Sequence, residues 1–130
     1  MSGFAFDSNI LIDALRGFRQ AHGELARASA SGSRLWISRL VWIEVMSKGS
    51  GEGLRRAEYF LTGFAIDEVE EEISVRAAAL RRERPRLRLP DSVILASALT
   101  RGRILVTRNT KDFPAAMPGV RIPYTRPEEA

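Results

Sequence analysis

Short apolar segments alternate with helical patterns along this 130-residue chain, and this alternation constrains its fold more than any other feature. The strand-like segments are FAF (4–6), RLWIS (34–38), FAID (64–67), RILVT (103–107) and a last short one within MPGVRIPY (117–124). Their length and apolar or β-branched content are typical of buried strands. Strands that alternate with helices predict an α/β layer fold with a mostly parallel sheet. Because we find no repeat and no interdomain linker, we expect one domain over residues 1–130.

The helical patterns between the strands begin and end at residues that favour helix boundaries. Gly17 follows the first, Ser38 precedes the third as an N-cap, and Pro85 ends the fifth. The predicted helices cover residues 8–17, 20–30, 39–47, 54–61, 70–84 and 90–102, with a loop over 48–53. Trp36, Trp42, Tyr59 and Phe60 are predicted to pack in the core or in a dimer interface.

The composition excludes several classes of protein. The chain has no cysteine, which removes disulfides, thiolate metal sites and cysteine nucleophiles. Its one histidine, His22, is predicted to be an ordinary surface or helix residue, so a Ser-His-Asp mechanism is set aside. No apolar run approaches the ~20 residues that span a bilayer, and no signal-peptide pattern is present at the N-terminus. We therefore expect a cytoplasmic protein without membrane contact.

Three acidic residues stand alone in the most apolar segments of the chain. They are Asp7 in FAFDSNILI, Glu44 in SRLVWIEVMSKG and Asp91 in LRLPDSVILASAL. Each also has a simpler interpretation. Asp7 would serve as an N-cap, Asp91 would be favoured by the positive end of its helix, and Glu44 would pair with Lys48 one turn on. Two other acidic stretches, Asp13 and residues 67–72, are predicted to face solvent.

The positions of these acids along the predicted sheet favour a shared site. Asp7 follows the first strand directly and Asp112 follows RILVT by a few residues, so both are expected at the carboxyl edge of the sheet, where ligands bind. Carboxylates brought close together repel each other, and a divalent cation with oxygen ligands relieves the repulsion. If Asp7, Glu44, Asp91 and Asp112 converge, they can hold one or two Mg²⁺ or Mn²⁺ ions. Only the fold can bring them together.

Four blocks of the sequence, in order, resemble the signature blocks of PIN domains, and among these the VapC-type toxins of bacterial toxin–antitoxin pairs. The blocks are FDSNILID, SRLVWIEV, RLPDSVILASAL and ILVTRNTKDF. The resemblance implies a three-layer α/β/α sandwich with a mostly parallel central sheet. It also implies an endoribonuclease that depends on Mg²⁺ or Mn²⁺ and cleaves RNA phosphodiester bonds with a metal-activated water. A homodimer and a cognate VapB-type antitoxin are implied as well.

The resemblance also assigns the site residues. Asp7 and Asp91 match the two aspartates that ligate the main metal, and Glu44 matches the glutamate that completes the cluster. Many PIN domains place aspartate directly after Thr-Arg, where this chain has Asn109, so Asp112 is assigned as the fourth acid and catalytic residue. The candidate supporting groups around the metal are Ser8, Asn9, Thr107 and Asn109.

The positive charge of the chain is almost all arginine, and the formal net charge is +4. The segment VRAAALRRERPRLR carries six arginines, which could track an RNA backbone or form a solvated helix face. The RNA-binding candidates are Arg82, Arg84, Arg86, Arg88 and Arg108, with Arg16, Arg101 and Arg103 weaker.

Two other functions compete with the nuclease. One is a PIN module with little or no catalysis that acts in a DNA-bound regulatory complex with an antitoxin-like partner. The retention of all four acids disfavours it. The other is a phosphatase of a different α/β fold, which would need a paired-acid nucleophile motif that DSN lacks.

Overall fold

A five-stranded, all-parallel sheet forms the centre of the protein in the computed structural model, which describes residues 3–114 and 116–126. The strands are β1 (Phe4–Phe6), β2 (Leu35–Ser38), β3 (Ala65–Asp67), β4 (Ile104–Val106) and β5 (Val120–Arg121). Their order across the sheet is β3-β2-β1-β4-β5, and each neighbouring pair is parallel. The winding of the chain therefore reverses at β1 and β4, and the crevice outside their carboxyl ends is where such sheets bind ligands.

In the described part of the chain six helices flank the sheet and complete the three-layer α/β/α arrangement predicted from the sequence. They are α1 (Ser8–Leu15), α2 (Arg19–Ala30), α3 (Arg39–Met46), α4 (Gly51–Leu61), α5 (Glu71–Glu83) and α6 (Leu89–Thr100). The order of strands and helices agrees with the prediction. The main difference is α4, which begins at Gly51 inside the predicted loop. Glu52 in the first turn favours this longer helix because a carboxylate is stabilised at the positive end of the helix dipole.

The core lies on both faces of the sheet, as a parallel sheet requires. Phe6, Ile37 and Leu105, one from each of three neighbouring strands, are fully buried. Helix α6 is buried from Asp91 to Ala98 and contacts α5, α3, β2 and β4. Each large apolar side chain buried in this way contributes roughly 1.5–3 kcal/mol. The core thus fixes α6, and with it Asp91, against the sheet.

Two acids that the sequence predicts to face solvent are buried. Asp13 is completely buried in α1 and accepts hydrogen bonds from Arg108 and Tyr124. Asp67 ends β3 and pairs with Arg103 through two hydrogen bonds of 2.7 and 3.0 Å. The prediction was wrong for both because the arginine partners come from distant parts of the chain.

The single histidine lies at the surface, and three of the four aromatic residues predicted to be packed are partly buried. His22 is exposed on α2, as predicted. Trp36, Trp42 and Phe60 pack against the core, whereas the side chain of Tyr59 is 80% exposed. No helix within residues 3–114 and 116–126 has the length and apolar character needed to cross a bilayer.

Candidate metal centre

Asp7 lies at the junction of β1 and α1, where the central strand reaches the carboxyl edge of the sheet. Its backbone is extended, and one carboxylate oxygen caps α1 by accepting a 2.7 Å hydrogen bond from the Ser8 N–H. The other oxygen accepts a 2.7 Å hydrogen bond from the Thr107 hydroxyl. The N-cap interpretation is therefore correct, but it accounts for only one of the two oxygens. Asp7 is buried, with 4% of its surface exposed.

Thr107 connects the end of β4 to this aspartate. It is fully buried, and besides donating to Asp7 its hydroxyl accepts hydrogen bonds from the Asn9 side-chain amide (3.2 Å) and the Asn109 N–H (3.1 Å). The Asp7 N–H donates to the Val106 carbonyl at 2.9 Å, which holds the ends of β1 and β4 side by side. Three of the four supporting residues predicted from the resemblance thus form one hydrogen-bonded group around Asp7. The fourth, Ser8, donates its backbone N–H to the other oxygen of Asp7.

Asp91 enters the same region from the first turn of α6. Helix α6 begins after the extended residue Arg88, with Pro90 in its first turn, and its apolar face fixes Asp91 in a buried position with 5% exposure. The Arg88 side chain, itself 71% exposed, donates a 3.1 Å hydrogen bond from Nε to one oxygen of Asp91. The carboxylate is therefore buried beside a cation that reaches it from solvent.

Asp112 is held in a turn that Asn109 shapes. The Asn109 side-chain carbonyl accepts from the Asp112 N–H at 3.2 Å, and its amide donates to the Asp112 carboxylate at 3.0 Å. The Arg84 guanidinium donates to the Asp112 backbone carbonyl and so ties this turn to the end of α5. Asn109, which stands where many PIN domains have aspartate, thus positions the neighbouring acid in this chain.

Glu44 points inward from α3. One of its carboxylate oxygens is buried and has no hydrogen-bond partner among the residues that the structure describes. A carboxylate oxygen left unsatisfied in this way is costly unless a ligand compensates it. Glu44 therefore differs from a residue on a solvated stripe, the alternative that the sequence left open.

The electrostatics show that acids from separate elements act on one another. The pKa of Asp7 is raised to about 6. Burial is the largest cause, the hydrogen bonds from Thr107 and Ser8 oppose it, and the negative charges of Asp91 and Glu44 add to it. Burial also raises the pKa of Asp91; Arg88 opposes this, and the nearby carboxyl of Asp112 adds to it. Repulsion of this kind requires the four acids to be neighbours. Residues 84 positions apart in the chain, Asp7 and Asp91, have therefore been brought together.

The donor set fits a hard divalent cation. It consists of carboxylate, hydroxyl and amide oxygens, which are the ligands that Mg²⁺ and Mn²⁺ prefer. As they stand, no three acidic or histidine side chains of the described residues are arranged to hold a metal ion. Asp91 is turned to Arg88 and Asp7 to Thr107, so a cation would have to share or replace these contacts. A cation at this place would give the buried oxygen of Glu44 a partner. It would also stabilise the ionised form of Asp7 and so lower its pKa.

An open groove of about 1020 Å³ adjoins the acids, and half of its lining residues are basic. Its lining residues are Asn9, Arg84, Pro85, Arg86, Leu87, Arg88, Arg108, Asn109, Lys111 and Asp112. Four of the five predicted RNA-binding arginines line it; Arg82 lies on α5 and is not among them. Lys111 was missed by the sequence interpretation, although its place directly before Asp112 was a signal that could have identified it.

Two of the three weaker arginine candidates, Arg101 and Arg103, have structural partners, whereas Arg16 is exposed. Arg103 pairs with Asp67 and lies 3.6 Å from the centre of the Trp36 ring, and Arg101 pairs with Glu70 and Glu72. Arg108, although it lines the groove, is only 12% exposed and forms a buried ion pair with Asp13. These contacts explain why several arginines are present without invoking nucleic acid.

Comparisons with known proteins agree with this architecture. The sequence model of the PIN domain matches residues 4–116. The chain is similar to a solved structure of a toxin–antitoxin complex from Klebsiella pneumoniae, with 40% identity, a TM-score of 0.85, and coverage of 95% of this chain and 100% of that one. VapBC2 from Rickettsia felis bound to a promoter DNA fragment shares the fold (20% identity, TM-score 0.76, coverage 91% and 95%), as does FitAcB from Neisseria gonorrhoeae (20%, 0.76, 92% and 97%). No curated protein sequence matches the chain significantly.

Proposed function

The chain belongs to the PIN domain family, whose VapC-type toxins it resembles, and from this we propose that it is the ribonuclease toxin of a VapBC-type toxin–antitoxin pair. In this proposal it hydrolyses RNA phosphodiester bonds and depends on Mg²⁺ or Mn²⁺. PIN domains in general are nucleases; the choice of RNA, the metal and the residues below are specific to the proposal.

The observation that carries the proposal is the meeting of acids from separate elements at the carboxyl edge of the sheet. Asp7 follows β1, Glu44 lies on α3, Asp91 lies in the first turn of α6 and Asp112 follows β4. The pKa of Asp7 is raised to about 6 by burial first and then by Asp91 and Glu44. A fold that merely needed a stable core would gain nothing from burying mutually repelling carboxylates.

The proposed metal ligands are Asp7, Asp91 and Glu44, with Asp112 as the fourth acid. When bound, a divalent cation offsets the repulsion among these carboxylates, lowers the pKa of a coordinated water and stabilises charge on a phosphate. The chain's own groups then have separate tasks. Thr107 and Ser8 fix the two oxygens of Asp7, and Asn109 fixes Asp112. One of the four carboxylates orients the attacking water.

The basic groove supports RNA as the substrate. Arg86 and Lys111 are exposed, and Arg88 reaches from the groove toward Asp91, so backbone phosphates bound along the groove would be led to the acids. Arginine suits this task because its planar donors match phosphate oxygens. Binding of this type weakens steeply with added salt.

A cognate antitoxin, a homodimer and a cytoplasmic location complete the proposal. The 40% identical relative is described as part of a toxin–antitoxin complex, which supports an antitoxin partner. Growth arrest on expression of the chain, reversed by co-expression of a short neighbouring gene, would test the partner. Sedimentation of the purified chain would test the dimer.

RNA cleavage with and without EDTA tests the activity directly. We expect cleavage in Mg²⁺ or Mn²⁺, loss in EDTA, and recovery when the metal is returned. Asp7→Asn and Asp91→Asn should each remove cleavage, whereas Asp67→Asn, a buried acid paired with Arg103, should leave it in the fraction of protein that folds. Cleavage that survives EDTA, or that survives both site variants, would exclude the proposed metal-dependent ribonuclease.

A second candidate is a weakly catalytic module that acts in a DNA-bound regulatory complex. It is favoured by one observation: no three acids of the described residues are arranged for a metal as they stand. Related folds have been solved on DNA, among them VapBC from Salmonella typhimurium. Promoter-DNA retardation by the chain with its antitoxin, together with no metal-dependent cleavage, would favour this function instead.

A further inference from the structure

Asp13 is a buried acid that the proposed chemistry does not use. It lies on α1, has no exposed surface, and accepts hydrogen bonds from Arg108 Nε (2.6 Å) and Nη2 (3.1 Å). The Tyr124 hydroxyl (2.8 Å) and Arg126 Nη1 (3.0 Å) also donate to it. Burial would raise the pKa of Asp13, but the hydrogen bonds from Arg108 and Tyr124 outweigh it and hold the pKa below its usual range. Asp13 is therefore a charged anchor that joins α1 to two other segments of the chain, around Arg108 and around Tyr124.

One of these segments carries the groups of the candidate metal centre. Arg108 stands between Thr107, which holds Asp7, and Asn109, which holds Asp112. Two residues of α1, Asn9 and Asp13, lie four positions apart on the same face of the helix and bind this segment. Asn9 accepts from the Arg108 N–H at 3.4 Å, and Asp13 binds the Arg108 guanidinium. The ion pair thus sets the position of the backbone on which the site residues stand.

The C-terminal segment closes over the same anchor. Tyr124 is nearly buried and its ring lies 5.2 Å from that of Phe18, while the Arg126 guanidinium lies 4.7 Å from the centre of the Phe18 ring. These contacts cover Asp13 and exclude water from the ion pair. A pair shielded in this way is held in one geometry by its two-pronged hydrogen bonds, which a solvated pair would not be.

We propose that Asp13 is a positioning residue of the metal centre: through Arg108 it fixes Thr107 and Asn109, and through them the carboxylates of Asp7 and Asp112. This rests on the proposed function, since it assumes that these carboxylates bind a cation. Asp13 does not touch the metal or the substrate. Its effect is to keep the donor groups in place before the cation arrives.

The chain contains a matched control for this proposal. Asp67 is also a buried aspartate with a two-pronged arginine partner, Arg103. Arg103 precedes β4, at the strand end opposite to Thr107, and donates its backbone N–H to Ala98 rather than to the site. Replacing either aspartate by asparagine breaks the same kind of buried ion pair. Of the two arginine partners, only Arg108 is adjacent in the chain to residues that hydrogen-bond to the acids of the site.

The test measures Mn²⁺ binding by calorimetry in the full chain and its variants. We expect Asp13→Asn to weaken Mn²⁺ about 10- to 100-fold, as loss of a supporting group does at metal sites, while Asp67→Asn changes it by no more than about threefold. If Asp13→Asn does not fold, Arg108→Lys replaces it, because lysine keeps the charge but loses the two-pronged geometry. A folded Asp13→Asn or Arg108→Lys with the affinity of the wild type would overturn the proposal, as would an equal loss in Asp67→Asn.

Hydrogen exchange at two amides separates this proposal from the function on which it rests. The Asn109 N–H donates to Thr107 and the Asp112 N–H donates to Asn109, so their protection reports the position of the segment without any metal. We expect faster exchange at both in Asp13→Asn and unchanged exchange in Asp67→Asn. If the wild type binds no Mn²⁺, the metal function fails, and these amides alone decide whether Asp13 positions the segment; unchanged exchange in Asp13→Asn would refute it.

Discussion

Replacing Asp7 by asparagine should make the metal-free protein more stable at neutral pH, although the residue is buried and hydrogen-bonded. Burial raises the pKa of Asp7 from 3.8 to about 6, despite the hydrogen bonds from Thr107 and Ser8. The folded state therefore holds the proton more tightly than the unfolded state does. Ionised Asp7 destabilises the fold, and asparagine removes this charge. Its single side-chain oxygen keeps the N-cap to Ser8, while its NH₂ group takes the place of the oxygen that accepts from Thr107.

The sign and size follow from the two pKa values. Below the unfolded value near 4 the carboxyl is protonated in both states, so Asp7 and asparagine should give similar stability. As the pH rises toward 6 the wild type loses stability relative to the variant, and above 6 the difference stays constant. A pKa raised from 3.8 to about 6 corresponds to a difference of ~3 kcal/mol at neutral pH. The new amide group, which needs its own partner, makes this an upper value.

The assay is urea unfolding in EDTA at several pH values between about 3 and 8, with Glu24→Gln as a control of opposite sign. Glu24 is also buried, but hydrogen bonds from Arg121 and Arg27 outweigh burial and hold its pKa below the usual range. The glutamine variant should therefore be less stable than the wild type at neutral pH, and the difference should shrink as the pH falls through the folded-state pKa of Glu24.

Two results would refute this reasoning about Asp7. One is an asparagine variant that is no more stable than the wild type at pH 7.5 in EDTA, and the other is a stability difference that does not change with pH. Metal supplies a second check. Mn²⁺ at 100 times its dissociation constant should stabilise the wild type by about 2.7 kcal/mol and the variant by much less.

The other predictions concern single groups of the site and the groove. Thr107→Val removes the hydroxyl that donates to Asp7 and should lower the free energy of unfolding by about 1–3 kcal/mol, measured by urea unfolding; an unchanged value would mean that the hydroxyl is dispensable. Glu44→Gln should leave stability in EDTA nearly unchanged but weaken Mn²⁺ by about tenfold, since its buried oxygen has no protein partner among the described residues. Arg86→Ala should reduce the slope of log K for RNA against log salt by about one, whereas Arg55→Ala, on the distant helix α4, should not; equal slopes in all three proteins would exclude Arg86 from phosphate contact.

Much of the fold could be predicted from local patterns. Ser38 does cap α3, with its hydroxyl 3.1 Å from the Leu40 N–H, and Gly17 follows the end of α1 with a φ of +82° that glycine adopts without strain. The strands, two to four residues long, lie within the segments predicted from the sequence. These features depend on a few adjacent residues, so the sequence contains all the information they need.

The sequence could nominate the site residues but not their surroundings. Asp7 was recognised both as a cap and as a candidate ligand; the structure confirms the cap, and the other oxygen accepts from Thr107. Asp13 was misread because its partners Arg108 and Tyr124 lie 95 and 111 residues further along the chain. Helical spacing shows which side chains share a face, but it does not show what covers that face.

The alternation of strands and helices, the parallel sheet and the identity of the isolated acids were determined by the sequence alone, because backbone geometry and side-chain polarity act over a few residues. Tertiary structure decided which acids became neighbours. It also decided which arginines neutralise structural carboxylates and which arginines line the groove. The physical reason is that electrostatic interaction depends on distance in space and on burial. Both are set only when β1, β4, α3 and α6 have packed together.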